Sequence, residues 1–143
     1  LSAFPEAKIV HLKRDPIATC WSIYKHHFTS NGNGYASNFD DLASYFHMYK
    51  DLMDFWHKAF PNNIYDISYE DLTLNQEKET RKMIDYCGLS WDDRCLDFHN
   101  NTRAVHTSSG FQVREKMYQG SSEAWKNYEK YLDPLISKIG DAK

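Results

Sequence analysis

Cysteine is scarce in this sequence, three in 143 residues, and Cys20, Cys87 and Cys95 are an odd number with no C-x-x-C spacing. A disulfide framework or a zinc site wants paired thiols at short spacing, so both are argued against. Each thiol falls in a helical pattern and reads as a small buried hydrophobe in a reduced, cytoplasmic setting. No apolar run is long enough to span a bilayer, and the first residues carry no basic-then-apolar leader. Neither sign of charge is in excess: 17 Lys and Arg against 20 Asp and Glu give a net charge of -3. That balance offers no general attraction to nucleic acid or an anionic membrane, so any anion site has to be local. There is no Gly-x-x-x-x-Gly-Lys run, which argues against a nucleotide kinase. The seven histidines, among them His26-His27 and His106, lack His-Glu-x-x-His spacing and predict no metal.

What is present is the making of a packed globule, with 41% hydrophobic and 15% aromatic residues, enough for a single domain over residues 1–143. The chain opens on Leu1, and Leu1-Ser2-Ala3-Phe4-Pro5 reads like the tail of a helix, as though this were the back part of something larger. The stretch that organises the rest is Lys8 to Tyr24. Ile9, Val10 and Leu12 form a short, nearly continuous apolar run, the signature of a parallel-sheet strand. Asp15 then fits an N-cap and Pro16 the first helical position, predicting a helix from Pro16 to about His27. Arg14 sits between strand end and helix start. The backbone amides and dipole of a helix N-terminus attract anions, and a guanidinium adds a forked pair of donors, so a phosphate is the natural guest. Ser22, about two turns into the helix, adds a hydroxyl donor on the same side. A strand-end arginine paired with a carboxylate is the plainer alternative. His11, inside the strand, reads as a satisfied core residue rather than a base.

Residues 29–38 are rich in turn formers and read as a surface loop. From Asn38, as cap, a long helix carries Leu42, Tyr45, Phe46, Tyr49, Leu52, Met53, Trp56 and Phe60 at three- and four-residue steps, one stripe facing a core. Ile64, Tyr65 and Ile67 mark a second strand ending at Tyr69-Glu70-Asp71-Leu72. Strand, helices and strand give a parallel crossover, which brings Arg14 and Tyr69 to the ligand-binding edge of the sheet. Asn75 is placed to cap a helix bearing Thr80, Met83, Ile84 and Cys87 and ending at Gly88. Ser90, facing Asp93, caps a short helix through Phe98. Trp125, Tyr128, Leu132, Leu135, Ile136 and Ile139 form a closing core stripe. The expected fold is α/β, a small parallel sheet of two or three strands flanked by five or six helices.

The string from Phe4 through Arg14-Asp15-Pro16, then Thr19, Cys20 and Ser22, resembles the second cofactor motif of the PAPS-dependent sulfotransferases. It is most similar to the bacterial and TPR-linked branch, itself similar to the tyrosylprotein sulfotransferases. The resemblance implies a P-loop-NTPase-like sulfotransferase fold in truncated form. It also implies that Arg14 and Ser22 hold the 3′-phosphate of 3′-phosphoadenosine 5′-phosphosulfate (PAPS). Tyr69-Glu70-Asp71-Leu72 resembles the family motif whose tyrosine contacts adenine. Thr102 to Arg114 resembles a segment of the TPR-linked enzymes in which the serine matching Ser109 helps bind the cofactor. Met117 to Tyr128 resembles the Arg-Lys-Gly-x-x-Gly-x-Trp-Lys-Asn segment that wraps the 3′-phosphate. Here Tyr118 and Gln119 replace the two cations, so a tyrosine hydroxyl, an amide and the Gly120 backbone carry over.

The family's Pro-Lys-x-Gly-Thr-Thr loop, which cradles the 5′-phosphosulfate, has no match, and the family's catalytic base belongs to the same missing front part. Sulfuryl transfer depends on in-line positioning and on cations that hold the leaving phosphate, so half a site is not expected to catalyse. The resemblance therefore implies the PAPS or adenosine 3′,5′-bisphosphate (PAP) half-site of a sulfotransferase, inactive alone, with a hydroxyl or amine acceptor on a carbohydrate, a protein tyrosine or a small alcohol. The other reading is a non-catalytic nucleotide- or partner-binding module of the same fold. Stripping neighbours from the sheet leaves an open edge, so self-association is expected.

Overall fold

The computed structural model describes residues 3–28, 31–105 and 110–140. Two strands, β1 (Ile9–Lys13) and β2 (Ile64–Ser68), pair in parallel from Ile9 opposite Ile64 to Lys13 opposite Ser68. They alternate with five α-helices among the described residues, α1 (Pro16–Lys25), α2 (Phe39–Ala59), α3 (Tyr69–Leu74), α4 (Gln76–Tyr86) and α5 (Glu129–Ile139). The protein is therefore α/β, with the small parallel sheet and flanking helices that the alternation predicts. The chain divides into two compact units, Leu1–Lys13 with Asn63–Gln119, and Arg14–Asn62 with Gly120–Lys143.

The first unit is the sheet with α3, α4 and the turns after them. Ile67 is buried, and Tyr65 stacks on Tyr86 of α4 with ring centroids 5.0 Å apart. His11 Nδ1 lies 2.8 Å from Asp66 Oδ1, its partner across the ladder, and Lys13 Nζ lies 3.5 Å from the same carboxylate. His11 is thus a satisfied residue of the strand. The apolar run of β1 is less covered than its composition predicts: Ile9, Val10 and Leu12 are exposed. A strand with a sheet neighbour on one side only keeps solvent access that an interior strand loses.

Capping shows where local signals compete. Helix α4 ends as expected at Gly88, whose φ of +71° suits glycine, with Gly88 N–H donating to Asp85 O and Leu89 N–H to Ile84 O. Asn75 occupies the N-cap position of α4, but its side chain makes no cap bond. Ser90 does not cap the next turn either. Asp92 does, accepting from Arg94 N–H at 2.9 Å and gripping the Arg94 guanidinium as well, and that arginine holds the Asp92 carboxyl down at about 2. A carboxylate two residues nearer the turn, already tied to a cation, wins over a serine hydroxyl. Two separate 3₁₀ turns, Asp93–Cys95 and Phe98–Asn100, replace the single short helix expected here.

The second unit is helical. Ile17 and Cys20 of α1, Leu42 and Ala43 of α2, and Leu135 and Ile139 of α5 form its core, with Trp125 and Phe46 packed against them. Helix α1 stops at Lys25, two residues short of expectation, because His26 takes an extended backbone. The α2 stripe is the larger correction. Leu42 is buried and Phe46 packs on the core, whereas Tyr45, Tyr49, Leu52 and Trp56 are exposed.

Asn38 Oδ1 accepts from the N–H groups of Asp40 and Asp41, at 2.7 and 3.2 Å. Asn38→Ala is expected to cost about 1 kcal/mol, read as a lower urea midpoint; an unmoved midpoint counts against the cap. Burial first, and then the Asp15 carboxylate, push the Cys20 thiol up to about 12 from 9.0. Thiolate is the reactive form, so alkylation of the native protein should modify Cys87 and Cys95 well before Cys20. The folded value lies above the unfolded one, so this contribution to stability is complete below pH 9 and is lost as the pH climbs towards 12. Mass-mapped labelling and melting curves across that range check both statements.

Candidate functional site

Arg14 follows directly on β1, with only the N-cap Asp15 between it and α1. The helix start is largely satisfied from within: Pro16 has no N–H, Asp15 Oδ1 accepts from Ala18 N–H at 2.7 Å, and Thr19 N–H donates to Asp15 O at 2.9 Å. Free helix amides are therefore a smaller part of any anion site than the sequence suggests. Arg14 itself is held by a segment more than a hundred residues further along. Its Nε donates to Ser122 Oγ at 3.1 Å, and its Nη2 donates to Ser121 O at 2.8 Å and Ser121 Oγ at 3.3 Å.

The segment that delivers these serines is a tight turn opened by Gly120. Its φ of +89° lies in the left-handed region that glycine enters without strain, and Glu123 N–H closes the turn on Gly120 O at 3.0 Å. Ser122 is buried and Ser121 and Arg14 are half-buried, so the guanidinium is fixed before any ligand arrives. The chain then runs through the 3₁₀ turn Ala124–Tyr128 into α5, whose core residues anchor the segment. Beside it, Trp21 of α1 packs against Tyr128 with centroids 5.0 Å apart, and Lys25 Nζ stands 5.5 Å from the Trp21 ring centre. Lys126 is bonded to Glu123, which raises its pKa together with the fields of Glu129 and Asp15, and so stays protonated.

The donor chemistry suits a phosphate. Both serine hydroxyls accept from Arg14 and hold its fork in place, and the guanidinium supplies the positive charge. Of the residues the sequence proposes, the structure places Arg14 and Gly120 on this one cluster. Ser22 lies on an exposed face of α1, and the hydroxyls described against Arg14 are those of Ser121 and Ser122. Sequence reasoning passed over these two serines although they directly follow Gly120; a pair of hydroxyl residues behind a turn glycine was the available signal.

In the first unit Tyr69, expected at a strand end, opens α3 instead, because Ser68 Oγ accepts from Asp71 N–H at 3.1 Å and starts the helix one residue earlier. Tyr69 is half-buried. Tyr118 is exposed, and Gln119 Nε2 donates to Thr73 O at 3.4 Å. The Arg114 guanidinium donates to the Arg103 carbonyl. Ser109 and His106 lie outside the described residues.

Comparison with known proteins bears on this geometry. A relative from Aquifex aeolicus (strain VF5), described only as an uncharacterized protein, is 40% identical over 139 residues. That alignment covers 95% of this chain and 18% of the relative, so the chain spans less than a fifth of the relative's length. A family model described as the sulfotransferase family matches residues 1–93, a segment that holds Arg14, Ser22 and Tyr69. A match over more than half of the sequence places it: the chain belongs to the sulfotransferase family.

Proposed function

We propose that this chain carries the 3′-phosphoadenosine half of the donor site of a PAPS-dependent sulfotransferase, in the cytoplasm, of the bacterial branch that resembles the TPR-linked and tyrosylprotein enzymes. The observation that carries this reading is the Arg14 guanidinium, preset by Ser121 and Ser122 beside the Gly120 turn. PAPS, when bound, supplies the sulfuryl group that passes to a hydroxyl or amine acceptor. The residues of this chain bind and orient: Arg14, Ser121 and Ser122 take the 3′-phosphate, with Ser22 and Ser109 as further hydroxyl donors. Tyr69 supplies a ring for adenine, and Tyr118 and Gln119 supply a hydroxyl and an amide where relatives place cations. Residues 1–143 act as one domain in this reading. With no Pro-Lys-x-Gly-Thr-Thr segment in its sequence, the chain on its own binds the nucleotide without transferring sulfate.

The test is calorimetric titration with 3′-AMP, 5′-AMP and PAP in parallel. Binding of the two 3′-phosphorylated ligands in preference to 5′-AMP is the expected result. Equal binding of all three, or of none, overturns the assignment.

A further inference from the structure

Helix α2 turns one apolar row to solvent. Tyr45 is 49% exposed, Met48 66%, Leu52 52% and Phe55 57%. Steps of three, four and three residues place these side chains in one row, with Asp41 at its N-terminal end and Ala59 at its C-terminal end. Tyr49 and Trp56, also exposed, broaden the row on the side nearer the core. The spacing is the a and d pattern of a helix-pairing seam, and the apolar row from Tyr45 to Phe55 is about 15 Å long at 1.5 Å per residue. An isolated exposed apolar residue needs no explanation, but a continuous row of this length does.

The ends of the row say what covers it. The first turn of α2 carries Asp40 and Asp41, and the last turn carries His57 and Lys58. Asp40 is paired with Lys138 at 2.9 Å, whereas neither Asp41 nor Lys58 has an ion-pair partner among the described residues. A two-fold axis near residue 50 would set Tyr45 of one helix opposite Phe55 of the other, Met48 opposite Leu52, and Asp41 beside Lys58, twice over. The antiparallel arrangement also opposes the two helix dipoles favourably. The row thus matches itself in size, polarity and charge, as an isologous contact requires.

We propose that α2 is a homodimer interface, in which a second copy of this chain lies antiparallel along the row of Tyr45, Met48, Leu52 and Phe55, with Asp41 of each copy paired to Lys58 of the other. Sedimentation equilibrium across the micromolar range is expected to show a monomer–dimer equilibrium. Met48→Asp should weaken the dimer at least tenfold with the circular dichroism melt unchanged, since Met48 lies outside the core. The charge variants test the geometry without touching apolar packing. Asp41→Lys and Lys58→Glu should each weaken the dimer, and the double variant should restore it. A chain that stays monomeric throughout overturns the proposal. So does a dimer indifferent to Met48→Asp but broken by Leu12→Lys, which would place association on β1, and so does a double variant weaker than either single one.

Discussion

Arg14→Ala is expected to weaken PAP binding by roughly 1.5–3 kcal/mol, about 10- to 150-fold, the range for hydrogen bonds to a charged group. The loss should fall on 3′-AMP and PAP and leave the weaker binding of 5′-AMP nearly unchanged, because the assignment concerns the 3′-phosphate alone. Arg14→Lys should recover only part of the loss. It restores the charge but not the planar fork by which Nε reaches Ser122 Oγ while Nη2 reaches Ser121 O. Ser122→Ala is the complementary probe. It leaves the guanidinium in place with one partner fewer, so its effect should be smaller than that of Arg14→Ala and should include a modest loss of stability. Titration calorimetry with thermal melts of each variant separates binding from folding. An Arg14→Ala protein that melts normally and binds PAP undiminished would remove Arg14 from the site.

What could be read from the sequence was what is decided within a few residues. Asp15-Pro16 starting α1, Asn38 capping α2 and Gly88 ending α4 each depend on one side chain or one backbone angle, and each is where the sequence places it. Arg14 was legible for the same reason, since strand end, cap and cation lie within three residues. The hydrogen bonds from Arg14 to Ser121 and Ser122 were not, because nothing local in either segment names its partner across more than a hundred residues. The α2 stripe failed differently. Helical periodicity tells which side chains share a face but not whether another element covers it, so Leu42 and Phe46 met a core while Tyr45 and Leu52 met solvent. Near Asp92 several caps competed within three residues, and the outcome turned on the ion pair with Arg94, a tertiary-scale detail that propensity does not carry.

Leu135→Ala should have the largest effect on folding, about 2–5 kcal/mol, because the side chain is fully buried at the meeting of α1, α2 and α5 and its removal leaves a cavity. Against a total stability of roughly 5–15 kcal/mol for a domain, that loss is severe. It also reaches the anion cluster. The serines that hold Arg14 lie on the chain leading into α5, and Leu132, Leu135 and Ile139 anchor that helix. Loosening α5 should therefore lower PAP affinity although Leu135 touches no ligand. The two effects are linked by mass action: a ligand that binds only the folded form adds about 2.7 kcal/mol at a hundredfold excess over its dissociation constant. Saturating PAP should thus return much of the lost urea midpoint in Leu135→Ala, while 5′-AMP should return little. A Leu135→Ala protein that binds PAP with undiminished affinity would mean that the Gly120–Ser122 turn keeps its hold on Arg14 without α5.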